Sequence, residues 1–142
     1  MEAIRGSQKS LILVARQLGI HIGPNDIPER FKIDDRELTL KEMSELAKSF
    51  DLKAKATKIS ENELLKLLTK KQQILKLKNG RYIIALRAIT NEDDKSILCL
   101  DAGISNPKPQ QISLEELGKG WDGSLLLLKA KLKIFEETSE LK

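Results

Sequence analysis

The sequence is poor in the residues that build most reactive or covalently linked sites. It has one cysteine, Cys99, and one histidine, His21, among 142 residues. A single cysteine excludes an internal disulfide and is typical of a reducing compartment, and one histidine is too few for a zinc site without several other ligands. We predict that Cys99 is a buried structural thiol, because it lies in the apolar run SILCL, and that His21 is a loop residue.

Aromatic residues and long apolar runs are also scarce. Aromatics make up 4% of the chain, whereas proteins that bind single-stranded nucleic acid commonly stack bases on such side chains. No stretch approaches the roughly 20 apolar residues of a membrane span, and no secretory signal precedes the first predicted helix. We therefore expect the chain as given to be soluble and cytosolic, with no nucleic-acid partner.

Charge is abundant but mixed in sign. Charged residues are 32% and apolar residues 40% of the chain, and the net charge is +4, which is typical of one globular domain with a real core. Lysine and glutamate are interspersed, and we interpret the lysines of residues 68–78 as a solvated face. Charge spread in this way predicts that binding depends only mildly on salt.

Helix start signals are the clearest local features. Residues 5–19 repeat apolar side chains at the spacing of one helical face and end at a glycine, which predicts a first helix. Three capping boxes, each a Ser or Thr followed three residues later by a glutamate, predict further helices. The pairs are Thr39 with Glu42, Ser60 with Glu63 and Ser113 with Glu116. A short helical turn is predicted within residues 23–31, where two prolines punctuate the chain.

Apolar alternation and turn residues predict strands, mainly in the second half of the chain. Asn79-Gly80 between two apolar runs is a strong short-range signal for a hairpin. Five strands are predicted, over residues 52–59, 72–78, 81–89, 96–100 and 123–129. Helices followed by strands joined through short turns indicate an α+β fold, with N-terminal helices packed on a mainly antiparallel β-sheet.

The order of these elements and four stretches of sequence resemble one family of bacterial domains. The stretches are SLILVARQLGIHIGPNDIPERF, LTLKEMSELAKSFDLKAKATKIS, NGRYIIAL and LDAGISNPKPQQISLEELGKGWDGSLLLL. Together they resemble the cysteine-peptidase domain at the N-terminus of bacteriocin-processing ABC exporters. They are more closely similar to its degenerate version on type I secretion ABC transporters of the haemolysin-translocator class. The resemblance covers nearly the whole chain and implies a papain-like cysteine-peptidase-type fold.

The resemblance places the catalytic triad of the family at three positions of this chain. The nucleophile position falls on Gly6, the base position on Tyr82 and the orienting aspartate on Asp101. Gly6 has no side chain, and a phenol, which ionises only at about pH 10 in water, is a poor base at neutral pH. The family's oxyanion-holding glutamine would precede Gly6, and we expect no residue of this chain to fill that position. The sequence therefore predicts that the domain is not a peptidase.

Neighbouring side chains include possible alternative nucleophiles, but none of them is predicted to have a base beside it. Ser7 and Ser10 lie near Gly6 in the sequence, but a serine nucleophile needs an adjacent base, and His21 lies beyond the first helix. Cys99 is predicted in the middle of a strand rather than at the start of that helix. An active cysteine-type peptidase that cleaves leader peptides stays the alternative from the enzyme class.

Three residues are predicted to bind substrate if the domain keeps a peptide-accepting surface: Tyr82, Asp101 and Trp121. Each also has a purely structural interpretation. Tyr82 can be a packed strand aromatic, Asp101 the cap of a turn, and Trp121 a buried apolar contact. Gly6 can equally serve to permit an unusual backbone conformation before the helix.

The resemblance implies a function and a setting. It implies a non-catalytic docking domain, at the cytoplasmic face of a bacterial inner membrane, that binds an unfolded secreted protein and adjoins the membrane and nucleotide-binding domains of the same transporter. A regulatory domain that contacts only the transporter is the other alternative. We expect the isolated domain to be monomeric and to need no cofactor or metal, whereas the full-length transporter would use ATP. Residues 1–128 are predicted to form the peptidase-like domain, and residues 129–142 the end of the last strand and a linker toward a transmembrane domain.

Overall fold

The computed structural model describes residues 6–23, 26–27, 38–69, 71–90, 94–104 and 106–130. In this part of the chain two helices come first, and two more lie between strands. The helices are α1 (Gly6–Gln17), α2 (Leu40–Ser49), α3 (Glu61–Leu67) and α4 (Leu114–Gly120). The strands are β1 (Leu52–Lys58), β2 (Gln73–Leu77), β3 (Tyr82–Thr90), β4 (Lys95–Leu100), β5 (Gln110–Ser113) and β6 (Trp121–Ala130). Most of the predicted turn at 23–31 and all of the polar tail at 135–142 lie outside the described residues.

The strands form one antiparallel sheet in the order β1-β6-β2-β3-β4-β5. The strand latest in sequence, β6, lies between two earlier ones, because Leu126 opposes Ala56 of β1 and Ile74 of β2. The remaining neighbours, β2 to β5, follow chain order as antiparallel pairs. This arrangement confirms the predicted α+β fold with a mainly antiparallel sheet.

Each face of the sheet carries its own apolar cluster. On the α1 face, Ile74, Ile84 and Leu126 of the sheet pack with residues of α1 and α2. On the α3 face, the alternate side chains of the same strands pack with Leu64 of α3 and Leu117 of α4. The period-two alternation of a strand explains this division, since successive side chains point to opposite faces. Helices therefore cover both sides, and any site of this fold belongs to one face or the other.

The predicted capping boxes are confirmed at two of three positions. Thr39 and Ser60 each accept a hydrogen bond from the main-chain N–H three residues later, and the glutamates there cap them in return. Ser113 accepts from the N–H of Glu116 at 3.1 Å, but the Glu116 carboxylate instead accepts from Lys119. Ser113 is also the last residue of β5, so its backbone belongs to a sheet strand, and the predicted third capping box is present only as its serine half.

The predicted hairpin is confirmed, whereas one strand was not predicted. Gly80 has a φ of +89°, which favours glycine, and its N–H donates to the carbonyl of Leu77 at 2.9 Å, closing the turn between β2 and β3. The unpredicted strand is β5. It is four residues long, only Ile112 is apolar, and two prolines precede it, so neither alternation nor strand propensity distinguishes it from a loop.

Candidate functional site

The start of α1 lies directly against the loop that follows β4. A Cβ atom on Gly103 of that loop would lie 3.0 Å from the Cα atom of Gly6 and 3.3 Å from its backbone nitrogen. Such contacts are tighter than side chains normally make, so only a glycine fits at position 103 without a shift. Gly6, at the nucleophile position that the family pattern implies, thus sits beside this loop and carries no group that could attack a carbonyl.

Tyr82, at the base position, is buried and takes part in a hydrogen bond to the main chain. The residue is 1% exposed, and its hydroxyl donates to the carbonyl oxygen of Leu38. The N–H of Leu38 in turn donates to Ser7 Oγ at 2.9 Å. We call Ser7, Leu38 and Tyr82 the Leu38 clasp. It ties the segment before α2 to the start of α1 on one side and to the sheet on the other.

Asp101 follows β4, and both of its carboxylate oxygens have partners. Oδ2 forms an ion pair with the guanidinium of Arg81, and Oδ1 accepts from the N–H of Gly103 at 2.9 Å. In a catalytic triad, the carboxylate would accept from the imidazole of the base and orient it. Here Arg81, beside the base position, is the side chain that pairs with the carboxylate. The bond from Gly103 gives Asp101 the turn-capping role that the sequence also allowed.

The structure brings the three triad positions to one end of the sheet. Asp101 Oδ1 lies 3.3 Å from the same Cβ position on Gly103 that would touch Gly6. The Leu38 clasp connects Tyr82 to Ser7, the residue directly after Gly6. The positions that the resemblance selected from three distant parts of the chain therefore converge, although none of them carries a thiol or an imidazole.

Trp121 does not share this place. It is 4% exposed and packs in the cluster on the α3 face, and its Nε1 donates to the carbonyl oxygen of Ser124 at 2.7 Å. Tyr82 belongs instead to the cluster on the α1 face. The predicted binding roles of Tyr82, Asp101 and Trp121 stay predictions. The burial of the two aromatic rings means that a substrate would reach them only after a rearrangement.

The described side chains that could replace the missing groups include Ser10, Cys99 and His21. Ser10 is fully buried, and its Oγ has no hydrogen-bond partner among the described residues. Cys99 is half-buried in β4, less buried than predicted, and packs on the α3 face. Burial, and then the negative charge of Asp101, raise the pKa of the Cys99 thiol, which disfavours the reactive thiolate. His21 is exposed in the loop where it was predicted.

Two contributors to the site were not predicted from the sequence. Leu38 contributes through its main chain, which bonds to Ser7 and Tyr82, 31 and 44 residues away. No pattern of side chains in the sequence predicts such a contact. Arg81 could have been suspected, because it directly precedes the base position on β3 and projects near the end of β4. Within the described ranges, no group of three or more metal-ligating side chains is placed to hold a metal ion.

Comparison with known proteins decides the family. The peptidase C39 family matches residues 9–133, which is most of the chain. This protein belongs to the peptidase C39 family. Among curated proteins, no sequence matches it.

Solved C39 structures resemble the chain over nearly its whole length. The N-terminal peptidase C39 like domain of a toxin secretion ATP-binding protein from Vibrio parahaemolyticus is 25% identical, with a TM-score of 0.68, and the match covers 89% of this chain and 98% of that one. The peptidase domain of Streptococcus ComA, a bi-functional ABC transporter involved in quorum sensing, is 19% identical, with a TM-score of 0.72 and coverages of 89% and 93%.

A third structure was solved with a peptide. It is a double glycine motif protease from an AMS/PCAT transporter in complex with the leader peptide, and it is 15% identical with a TM-score of 0.72 over 92% of this chain and 88% of that one. These neighbours confirm the cysteine-peptidase-type fold that the resemblance implied. In the described part of this C39 chain, no helix is both long and apolar enough to cross a membrane.

Proposed function

We propose that this C39 domain is a non-catalytic docking module of a bacterial type I secretion ABC transporter. It binds the unfolded secreted protein at the cytoplasmic face of the inner membrane and holds it near the transport path. The observation that carries the proposal is the chemistry at the converged triad positions. Gly6 offers no nucleophile, and the Tyr82 hydroxyl donates to a buried carbonyl in the place where a base would accept a proton.

A domain with the C39 fold that lacks the catalytic groups can still function if it binds peptide. Structures with this fold come from ABC transporters, and one of them holds a leader peptide. Sheet edges and apolar grooves can bind extended chains by main-chain pairing, which suits exported proteins that share no sequence. A contact on the order of micromolar, tethered beside the channel, raises the local substrate concentration and still permits release.

The first test is for peptidase activity. The purified domain is incubated with an exported protein and with a double-glycine leader peptide, and the products are analysed by mass spectrometry. We expect no cleavage. Turnover that is lost in Ser7→Ala or Ser10→Ala would overturn the proposal and establish a displaced nucleophile.

The second test is for docking. The labelled domain is titrated with the exported protein kept unfolded in a low concentration of urea, and then with the same protein refolded at the same urea concentration. We expect binding of the unfolded form only, because folding hides the apolar side chains and backbone groups that a docking surface engages. Equal binding of both forms, or binding of neither, would favour a regulatory domain that contacts only the rest of the transporter.

A further inference from the structure

A second candidate site lies on the α3 face of the sheet. A groove of about 970 Å³ runs between α3 and the neighbouring ends of β1, β6 and β2. It lies near Lys53 and Lys129, which oppose each other across β1 and β6, whereas the triad positions lie near Tyr82 at the other end of the sheet and on its α1 face. Its volume is at the upper end of the ~300–1,000 Å³ typical of ligand pockets. The groove is therefore separate from the triad positions and large enough for a short peptide.

The rim of the groove is strongly basic. Among the described residues that line it, five are lysines and one is acidic: Lys53, Lys55, Lys66, Lys71, Lys129 and Glu63. These lysines come from β1, α3, the segment after α3 and β6, so the fold collects charges that are dispersed in the sequence. Of the lysines at 68–78 that were interpreted as a solvated face, Lys71 lies at this rim and is partly buried. Like charges gathered on a concave surface repel one another and attract an anionic partner.

The floor of the groove is apolar, with one buried polar atom. Ile59, Leu67 and Leu127 line it and are only partly buried, so apolar surface is left open between the lysines. Gln73 of β2 also lines it and is 3% exposed. Its Oε1 has no hydrogen-bond partner among the described residues. An unpaired buried acceptor costs free energy, and a ligand that brings an N–H donor would recover it.

We propose that this lysine groove binds an acidic peptide segment in which carboxylates are interspersed with apolar side chains. The carboxylates pair with the rim lysines, the apolar side chains cover Ile59 and Leu127, and a peptide N–H donates to Gln73 Oε1. Assigning that segment to the exported protein rests on the proposed docking function, whereas the binding itself does not. An anionic lipid surface would also pair with the lysines. A flat layer of headgroups, however, places no N–H donor at the buried Gln73 Oε1 and no apolar side chain against the concave floor of the groove.

The test uses synthetic peptides and a charge-reversed pair of lysines. The probe is a fluorescein-labelled 12-residue peptide of glutamate and leucine, and its comparison peptide has lysine in place of every glutamate. The test variant is Lys53→Glu with Lys55→Glu, two exposed residues of β1. The matched control is Lys78→Glu with Lys108→Glu, which changes the net charge equally at exposed positions outside the groove. Circular dichroism checks that both variants fold.

We expect the acidic peptide to bind the domain and the lysine peptide to bind at least ten-fold more weakly. Reversing the groove lysines should weaken the acidic peptide about ten-fold, and the control pair less than about two-fold, because steering by remote exposed charges is screened. Gln73→Leu should weaken it about three-fold without loss of folding, since a single neutral hydrogen bond is lost. Equal loss in both lysine pairs, no binding of the acidic peptide, or binding only of vesicles that contain phosphatidylserine would overturn the proposal.

The outcomes for the two proposals can be told apart. If the unfolded exported protein binds the Lys53→Glu, Lys55→Glu variant as well as the unaltered domain, its assignment to the groove is wrong and the docking function stands. If the acidic peptide binds in the groove and the exported protein does not bind, peptide binding by the groove stands and the docking function is wrong.

Discussion

The Leu38 clasp gives a quantitative test of the structural role of Tyr82, which lies at the base position that the resemblance implies. Tyr82→Phe removes the hydroxyl that donates to Leu38 and keeps the ring, so that little packing is lost. Both residues are almost fully buried, at 1% and 2% exposure. A buried carbonyl deprived of a donor costs about 1–3 kcal/mol. With a urea slope of about 2 kcal/mol per molar, the midpoint of unfolding should fall by about 0.5–1.5 M.

The measurement is equilibrium unfolding in urea, followed by far-UV circular dichroism and by the fluorescence of Trp121. Thr69→Val is the matched control, because it removes an exposed hydroxyl that bonds only within its own turn, and it should change stability by less than about 0.5 kcal/mol. Ser7→Ala removes the other half of the clasp. Because both changes act through Leu38, the double variant should be less destabilised than the sum of the two by at least about 0.5 kcal/mol. A Tyr82→Phe domain that unfolds at the unaltered midpoint would refute this reasoning.

Three further predictions concern single positions. Gly123 has a φ of +100°, and a Cβ there would lie 2.6 Å from the carbonyl oxygen of Ile59. Gly123→Ala should therefore destabilise the domain by at least about 2 kcal/mol in urea unfolding. Gly120→Ala, where a Cβ meets nothing within 4 Å, should not destabilise it in this way. Burial raises the pKa of the Cys99 thiol, so labelling by iodoacetamide should be slower than that of a free thiol at pH 8. At pH values below the ordinary pKa of a thiol, this group should leave the free energy of unfolding unchanged. As the pH rises above that pKa, the free energy of unfolding should fall, because the unfolded chain loses the thiol proton first. Gly6→Cys alone should cleave no leader peptide, because the added thiol has no neighbouring base; cleavage detected by mass spectrometry would contradict that reading.

Local signals in the sequence predicted the parts of this fold that are held together locally. Thr39 and Ser60 cap their own helices, and Asn79-Gly80 turns its own hairpin, so each signal and its structural consequence lie within a few residues. β5 was missed because it has no alternation of its own and is held by backbone pairing with β4. Its position is decided by the neighbouring strand rather than by its composition.

The candidate sites show the same division between local and distant causes. The resemblance located Gly6, Tyr82 and Asp101, and the structure brings them together. Tyr82 bonds to Leu38, 44 residues away, and Asp101 pairs with Arg81, 20 residues away. No periodicity in the sequence predicts contacts between such distant residues. The lysine groove was missed for the same reason, because each of its lysines looks ordinary in its own segment.

The position of β6 has a consequence for the order in which the protein can form. This strand fills the gap between β1 and β2 and supplies Leu125 to one apolar cluster and Leu126 to the other. During synthesis, α1, α2 and β1 leave the ribosome long before their sheet neighbour exists. Pairings between such distant segments form slowly, since a long loop must close before any contact rewards it. The chain should therefore complete its fold in one late step, when β6 inserts, and until then the exposed edges of β1 and β2 are the parts most open to chaperones or to aggregation.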